Sequence, residues 1–267
     1  MSNQIRPLLS LVIPAYNEAD RLPATLRRIE EHRRSWDFSS EIIIVVEPSE
    51  DGTLALAENA AKSTAQLVVL THHERRGKGF AVRSGMLRAR GNFVFFTDAD
   101  LSTPVEDLEA SLLRLRKDPS VDVIVGNRQH PESRILLHQN LCREWMGKFF
   151  NRIAQKVTGL KIRDTQCGFK GFRHRAANEI FGRQRIDGFS FDVEVLLLAQ
   201  AMGFSTLEVP VHWTNSPTSR VRVLHDSVGT LGDLFRIRHI VSKTLREFPY
   251  KKTAAAGAVN RPLSRPQ

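Results

Sequence analysis

Two aspartates separated by a single residue, Asp98 and Asp100, have the types and spacing that best suit chemistry in this sequence. They follow the apolar run at residues 92–96, and in an extended chain side chains at positions i and i+2 lie on the same side. At the carboxyl end of a buried strand they would lie where open α/β sheets bind ligands. Paired carboxylates suit Mg²⁺ or Mn²⁺, and such an ion suits a diphosphate. The alternative is a turn in which one aspartate caps a helix starting near Pro104.

Polar loops follow two other apolar runs. The run at residues 8–14 leads into a loop that can contact a nucleotide, made of Pro14, Ala15, Tyr16, Asn17 and Glu18. The run at residues 41–46 is followed by Glu47, whose carboxylate can accept hydrogen bonds from the N–H edge of a nucleobase. A simple strand-to-helix turn is the alternative for the first loop. In the second loop, Ser49 or Asp51 is expected to cap the next helix.

Cationic residues are expected at the same edge of the sheet. Lys78 lies between Gly77 and Gly79 at the start of a predicted helix, where backbone N–H groups and the helix dipole attract anions. The segment matches neither a Walker motif nor a dinucleotide fingerprint. Arg128 follows the fifth predicted strand, with Arg134 six residues further on, and arginine can bind phosphate through two parallel hydrogen bonds. We predict a diphosphate site here, with solvated basic loops as the alternative.

The first half of the chain alternates between strand-like and helix-like segments. The predicted strands are residues 8–14, 41–46, 66–70, 93–97 and 121–126. The predicted helices are residues 20–36, 51–62, 79–90 and 104–117. Continuous apolar strands separated by helices indicate an α/β fold, Rossmann-like, with a mostly parallel sheet and helices on both faces.

The second half is less regular. Residues 136–158 predict one or two amphipathic helices, residues 167–173 an extended segment and residues 206–213 a strand. Further helices are predicted at residues 175–181, 191–202 and 221–245. Asp192 falls in the first turn of one of them, where the helix dipole alone would favour a carboxylate. We expect one domain over residues 8–215, a C-terminal helical elaboration over 216–248 and a disordered tail over 249–267.

The net charge of +10 indicates an anionic partner: nucleic acid, a membrane surface or a phosphorylated substrate. Cys142 and Cys167 lack metal-ligand spacing and fit a reducing cytosol. The N-terminus shows no signal peptide, and no apolar stretch reaches the ~20 residues that span a bilayer. We therefore expect a cytoplasmic protein that associates peripherally with a membrane.

The hypothesis that the protein binds a membrane surface rests on the predicted C-terminal helix. Its apolar residues fall near one face: Leu224, Val228, Leu231, Phe235 and Ile237 or Ile240. Cations surround that face, which is typical of a helix lying in a membrane interface. The alternative is a helix packed on the protein's own sheet.

Together these residues resemble the family 2 glycosyltransferases of the GT-A fold, and more narrowly the polyprenyl-phosphate and dolichyl-phosphate sugar transferases. The resemblance runs from about residue 9 to residue 213 and includes residues 12–18, 76–79 and 98–100. Residues 162–170, with the sequence IRDTQCGFK, and residues 191–194 look most like the dolichyl-phosphate β-glucosyltransferase branch.

The resemblance implies an inverting transfer from a nucleoside-diphosphate sugar to a polyprenyl phosphate, with UDP-glucose favoured and GDP-mannose possible. Asp98 and Asp100 would hold Mg²⁺ or Mn²⁺ on the donor diphosphate. Pro14, Tyr16, Asn17 and Glu18 would lie on the nucleotide, Arg128 and Arg134 near the transferring phosphates, and Asp192 on the acceptor side.

The sequence departs from the family pattern at two places. Glu47, Pro48 and Ser49 stand where the family usually has Asp-Asp-Gly-Ser, and Ser102 stands where some relatives have a metal-binding Gln. Two other functions compete. A sugar transferase with a soluble acceptor shares the donor half. A nucleic-acid-binding module accounts for the charge, but the basic residues are dispersed and stacking aromatics are few.

Overall fold

A computed structural model describes residues 6–137, 141–215 and 223–250 of the chain, and for residues 141–146, 148, 223–231 and 235 it describes the backbone alone. Seven of its strands form one sheet in the order β3-β2-β1-β4-β7-β5-β8. These strands are β1 Leu9–Ala15, β2 Ser40–Val46, β3 Leu67–Thr71, β4 Phe93–Phe96, β5 Val123–Asn127, β7 Lys170–Arg173 and β8 Thr206–Pro210. β6 Arg134–Leu137 and β9 His212–Thr214 pair separately.

The sheet is parallel except at β7, which runs antiparallel between β4 and β5. Gly171 of β7 faces the ring of Phe95 so closely that a Cβ at this position would stand 2.2 Å from the ring. The mostly parallel sheet confirms the predicted fold class.

Helices cover both faces of the sheet. They are α1 Leu22–Arg33, α2 Thr53–Ser63, α3 Lys78–Arg88, α4 Val105–Lys117, α5 Leu141–Thr158, α6 His174–Phe181, α7 Phe191–Ala201 and α8 Val223–Glu247. Alternate strand residues separate into two buried clusters, since successive side chains of a strand point to opposite faces. Leu9, Leu11 and Ile13 pack with α1, α2 and α4, whereas Val12 packs with α3, α6 and α7.

Two predicted elements of the second half are corrected. The helix expected from residue 136 begins at Leu141, and Arg134–Leu137 instead forms β6, paired with β9. The single strand expected over residues 206–213 is two strands, because the chain leaves β5 after Pro210 and pairs with β6 from His212.

The described half of α8 packs against the protein. Leu234, Ile237 and Val241 are buried in the core that α8 shares with α3, α6 and α7. Ile237 therefore does not lie on a membrane-facing surface, and this half of the helix supports the alternative of packing on the protein itself. The structure describes only the backbone of Leu224, Val228, Leu231 and Phe235.

Tyr250, at the start of the predicted C-terminal tail, contacts the rest of the protein. The ring of Tyr250, which the prediction placed in the disordered tail, packs against Phe204 with 5.3 Å between ring centroids, and its hydroxyl accepts a hydrogen bond from Arg175. Residues 251–267 of the predicted tail lie outside the described residues. Among the helices that the structure describes, none is long and apolar enough to cross a bilayer.

Candidate active site

A cavity of about 250 Å³ opens at the carboxyl ends of β1, β2 and β4. Seven of the predicted site residues line it: Pro14, Tyr16, Glu18, Glu47, Lys78, Asp98 and Asp100. Their convergence follows from topology, because neighbouring parallel strands end at the same edge of the sheet. Asn17, Arg128, Arg134 and Asp192 are not part of its lining.

Asp98 and Asp100 follow β4 and face two cationic side chains, Lys78 beside Asp98 and Arg21 beside Asp100. The Lys78 Nζ lies 2.5 Å from Asp98 Oδ1. Burial opposes the charged form of this ammonium, but the charges of Asp98, Asp192 and Asp100 outweigh it and raise the pKa of Lys78 to about 12. Burial and the nearby Asp98 raise the pKa of Asp100 above its ordinary value. The site thus gathers negative charge and places the Lys78 ammonium directly against Asp98.

The helix-capping alternative for this aspartate pair is wrong. Helix α4 begins after Pro104 without a side-chain cap. Asp100 Oδ1 instead accepts hydrogen bonds from the backbone N–H and the hydroxyl of Ser102, at 3.0 and 2.8 Å. These bonds orient its carboxylate. Its other oxygen, Oδ2, lies 3.9 Å from Arg21 Nη1.

The surroundings of Asp98 fit a divalent cation bound by few protein ligands. A Cβ at Gly168 would stand 1.9 Å from Asp98 Oδ2, so the bare glycine makes room for the carboxylate. Among the described residues, no group of three His, Cys, Asp or Glu side chains could hold a metal ion. An ion held by Asp98 and Asp100 would therefore complete its shell with water and substrate oxygens, as Mg²⁺ commonly does at phosphate sites.

Replacing Gly168 by alanine is expected to weaken Mn²⁺ binding at least about tenfold, because the new methyl group must push the Asp98 carboxylate out of position. Isothermal titration with Mn²⁺ measures the effect. Gly147→Ala is the matched control, since a Cβ there meets nothing within 4 Å. Equal Mn²⁺ affinities for wild type and Gly168→Ala would contradict this role for Gly168.

Glu47 lies buried at the end of β2, and one of its two carboxylate oxygens has no hydrogen-bond partner among the described residues. Its Oε2 accepts the backbone N–H groups of Arg76 and Gly77, at 2.7 and 2.9 Å. Its Oε1 is buried and has no hydrogen-bond partner among the described residues. Because an unpaired buried carboxylate oxygen is costly, this atom is suited to a ligand N–H group.

The loop after β1 divides into ligand-facing and structural residues. Tyr16 lines the cavity with the Arg75 guanidinium 3.9 Å from its ring centroid. Asn17 instead bonds to the loop after β2: its backbone N–H donates to Ser49 Oγ, and its Oδ1 accepts from the Glu50 N–H. The structure therefore assigns the Asn17 side chain to joining two loops and does not place it in the cavity.

Of the two residues predicted to cap α2, Asp51 does so and Ser49 does not. The N-cap residue is Gly52, and Asp51 Oδ1 accepts the backbone N–H of Thr53, the first residue of α2, at 3.2 Å. Ser49 Oγ accepts the Asn17 N–H, and Asp51 Oδ2 accepts the Ala19 N–H. Both side chains hold the loops after β1 and β2 together.

The two predicted arginines occupy different places. Arg128 binds the buried Asp164 through Nε and Nη2, at 2.7 and 2.9 Å, and its guanidinium lies over the Trp213 ring. Burial opposes its charge, but Asp164 outweighs this and raises the pKa of Arg128. Arg134 is exposed on β6, and its N–H bonds to the Val211 carbonyl. Sheet pairing thus holds Arg134 outside the cavity lining.

Asp192 forms a buried ion pair that sequence reasoning did not predict. Its Oδ1 lies 2.6 Å from the Nζ of Lys170, which is fully buried and also donates to the Cys167 carbonyl at 2.7 Å. Burial raises the pKa of Asp192, and the charges of Lys170 and Lys78 oppose that rise. The sequence did contain a signal for this ion pair. Lys170 stands between Phe169 and Phe172 in a segment predicted to be extended, and a lysine is rarely buried unless it is paired.

The loop between α6 and α7 closes one side of the cavity. Phe189 lines the cavity, and Asp187 pairs with Arg76 at 2.5 Å. The buried Glu194 fixes this loop by accepting the N–H groups of Arg185 and Ile186, both at 2.8 Å. Burial raises the pKa of Glu194 to about 7. Sequence reasoning missed the Arg76–Asp187 pair, because it joins residues 111 positions apart in the chain.

Comparison with known proteins identifies the relatives of this chain. The family model described as Glycosyl transferase family 2 matches residues 10–181. A protein of Dictyostelium discoideum named dolichyl-phosphate beta-glucosyltransferase is 33% identical over 241 residues, which cover 86% of this chain and 73% of that protein. Its namesake in Drosophila melanogaster is 34% identical over 240 residues, which cover 86% and 74%.

Solved structures share the fold at low sequence identity. Mannosyl-3-phosphoglycerate synthase from Rubrobacter xylanophilus superposes with a TM-score of 0.62 at 16% identity, covering 96% of this chain and 79% of its own. Glucosyl-3-phosphoglycerate synthase from Mycobacterium tuberculosis, solved with Mn²⁺, UDP and glucosyl-3-phosphoglycerate, gives 0.57 at 14% identity, covering 92% and 82%. The likeness confirms the GT-A fold.

Proposed function

The chain belongs to glycosyl transferase family 2, and from that membership we propose that it transfers glucose from UDP-glucose to a dolichyl or other polyprenyl phosphate with inversion at the anomeric carbon. Support comes from the relatives named dolichyl-phosphate beta-glucosyltransferase. The observation that carries the proposal is the cavity that joins Glu47, Lys78, Asp98 and Asp100 at one edge of the sheet. We propose residues 8–215 as the catalytic domain.

Glu47 supports uracil as the base. Uracil presents one ring N–H, at N3, and Glu47 offers one oxygen without a partner among the described residues. Guanine presents a ring N–H and an amino group side by side and would use both carboxylate oxygens. Here Oε2 already accepts from Arg76 and Gly77. The Tyr16 ring, which also lines the cavity, supplies an apolar face for the nucleotide.

The donor diphosphate would lie between the first turn of α3 and the aspartate pair. Lys78 is the first residue of α3, and the positive end of the helix dipole adds to its charge. Asp98 and Asp100 would hold a divalent cation, Mn²⁺ or Mg²⁺. When bound, that cation would neutralise part of the charge that develops on the leaving UDP.

The acceptor is its own nucleophile. A phosphomonoester is at least singly ionised, with a second pKa near ~6, so it needs little help from a general base. Its oxygen attacks the anomeric carbon, the bond from that carbon to the diphosphate breaks, and UDP leaves with the electron pair. Asp192 then positions the sugar or the acceptor, and the pairing with Lys170 holds its carboxylate in place.

We propose that the enzyme works at a membrane surface, because a polyprenyl acceptor resides in a bilayer. The net charge of +10 favours an anionic leaflet. Leu136 and Leu137 of β6 are 65% and 47% exposed and offer apolar side chains to such a surface. Sedimentation with vesicles tests this: binding to anionic vesicles that weakens with salt is expected, and its absence would remove the membrane assignment.

The activity is tested with purified protein, UDP-glucose, dolichyl phosphate and Mn²⁺. We expect a glucosylated lipid product that forms faster from UDP-glucose than from GDP-mannose and is lost on chelation. Equal sugar transfer without lipid, to a soluble phosphorylated acceptor, would favour the soluble-acceptor alternative. A salt-sensitive complex with nucleic acid and no turnover would favour the nucleic-acid-binding alternative.

Replacing Glu47 by glutamine is expected to raise the KM for UDP-glucose about 10- to 100-fold. Glutamine has one side-chain oxygen, so it cannot accept hydrogen bonds at both positions where the two oxygens of Glu47 can. If its carbonyl oxygen keeps the N–H groups of Arg76 and Gly77, its amide donors face the donor N–H of the base. Steady-state kinetics with varied UDP-glucose measures the change. Glu58→Gln, exposed on α2, is the matched control. An unchanged KM would remove Glu47 from base recognition.

A further inference from the structure

Lys78 occupies the side of Asp98 that a metal ion would need. Asp98 Oδ2 lies against Gly168, where a Cβ would stand 1.9 Å from it. Asp98 Oδ1 is the oxygen directed at Lys78 Nζ, 2.5 Å away. One oxygen of the proposed metal ligand is therefore already bound to a cation of the protein itself.

A divalent cation bound to Asp98 would compete with this ammonium for the same carboxylate. A magnesium ion lies about 2.0–2.1 Å from its oxygen ligands and carries a shell of further oxygens, so it would stand beside the Lys78 Nζ. The two cations also repel each other in a partly buried site. Metal binding therefore favours movement of the Lys78 side chain away from Asp98.

The neighbouring groups offer Lys78 two other anionic partners. Asp192 is among the carboxylates that act on its charge, although Lys170 already occupies Asp192 Oδ1. The donor diphosphate, proposed to lie at the first turn of α3, is the other. Of the two, the diphosphate has oxygens without a protein cation bound.

We infer that Lys78 is an internal counter-ion which a divalent cation displaces from Asp98, and that the displaced ammonium binds the donor diphosphate, so that metal and nucleotide bind cooperatively. This inference rests on the proposed function, since it takes Asp98 and Asp100 as the metal ligands. Before the donor binds, Lys78 balances the aspartate pair and lowers its affinity for free metal. When the donor binds, the same lysine contacts the diphosphate, and by thermodynamic linkage each ligand strengthens the other.

The test measures metal binding directly and without turnover. Mn²⁺ is titrated by calorimetry into wild type and Lys78→Gln at one pH and ionic strength, with and without UDP. Without UDP, Lys78→Gln is expected to bind Mn²⁺ at least about tenfold more tightly than wild type, because the competing charge is gone. UDP is expected to strengthen Mn²⁺ binding by a larger factor in wild type than in the variant.

Control variants separate competition from a general change of charge. Lys62→Met removes one positive charge from the exposed end of α2, where Lys62 contacts Asn59, and should leave Mn²⁺ affinity unchanged. Lys78→Met repeats the test without a polar side chain. The Mn²⁺-induced rise in melting temperature gives a second readout, expected to be larger for both Lys78 variants than for wild type.

The outcomes distinguish this inference from the proposed function. If Mn²⁺ binding is lost in Asp100→Asn but is unchanged or weaker in Lys78→Gln and Lys78→Met, the counter-ion role is wrong and the metal site stands. If wild type and the Lys78 variants bind no Mn²⁺ with or without UDP, the metal site fails, and the counter-ion role fails with it.

Discussion

Replacing Asp100 by asparagine is expected to reduce kcat by at least about 10³-fold while leaving the fold intact, which is the loss expected when a group that stabilises leaving-group charge is removed. Asparagine keeps the shape of the side chain and an oxygen for the two Ser102 hydrogen bonds. What it removes is the negative charge that would hold the metal ion. The measurement is kcat at saturating UDP-glucose, lipid and Mn²⁺.

The same substitution should not destabilise the protein. Burial and Asp98 raise the pKa of Asp100, so the folded state retains the Asp100 proton to higher pH than the unfolded state does. Between the two pKa values the folded state binds more protons, and the free energy of unfolding falls as pH rises. At neutral pH the charged Asp100 is thus a cost that asparagine removes, and we expect an equal or higher melting temperature.

Asp37→Asn, on the exposed loop between α1 and β2, is the control for loss of one carboxylate and should keep wild-type turnover. Retained turnover in Asp100→Asn would refute the metal assignment. Lost turnover with a lowered melting temperature would point instead to misfolding.

Replacing Lys170 by methionine is expected to lower the free energy of unfolding by about 3–5 kcal/mol, the usual cost of removing one member of a buried ion pair. The carboxylate of Asp192 would remain buried without its ammonium partner, and the Cys167 carbonyl would lose a donor. Urea unfolding at neutral pH measures the loss. Activity should fall as well, because Asp192 loses the contact that orients it.

Two further measurements separate the ion pair from a simple packing defect. In Lys170→Met the pKa of Asp192 should rise further, because burial already raises it and its main opposing charge is gone. The variant's deficit should therefore shrink as pH falls through that pKa and Asp192 is protonated.

A double-mutant cycle tests the pairing itself. The variant Lys170→Met/Asp192→Leu should lose less stability than the sum of the single variants, since it leaves no unpaired buried charge. Additive losses, or a deficit independent of pH, would contradict the ion-pair account.

Local sequence patterns predicted the first half of the fold. Each strand from β1 to β5 is a short apolar run bounded by polar or glycine-containing loops, so hydrophobic pattern alone located them. Patterns failed where pairing with a distant strand decided the structure. Residues 134–137 have no distinctive local signal, and they form β6 because β9 lies beside them.

The site residues also divide into those that the sequence could place and those that it could not. The residues Pro14, Tyr16, Glu18, Glu47, Lys78, Asp98 and Asp100 could be placed together from sequence, since each follows or faces the carboxyl end of a predicted parallel strand. The sequence could not show that Asn17 joins two loops or that Arg134 remains outside the cavity lining. Those outcomes depend on which hydrogen-bond partners lie nearby after folding.

By itself the sequence determined the alternation of strands and helices, and with it the edge of the sheet where carboxylates and cations meet, because hydrophobic periodicity and strand-end position are local properties of the chain. Only the tertiary structure decided which charges pair. Lys78 with Asp98, Lys170 with Asp192 and Arg128 with Asp164 lie 20, 22 and 36 residues apart. Their pairing depends on β7 entering the sheet antiparallel and on helix ends meeting strand ends, which are distances in space that no local pattern encodes.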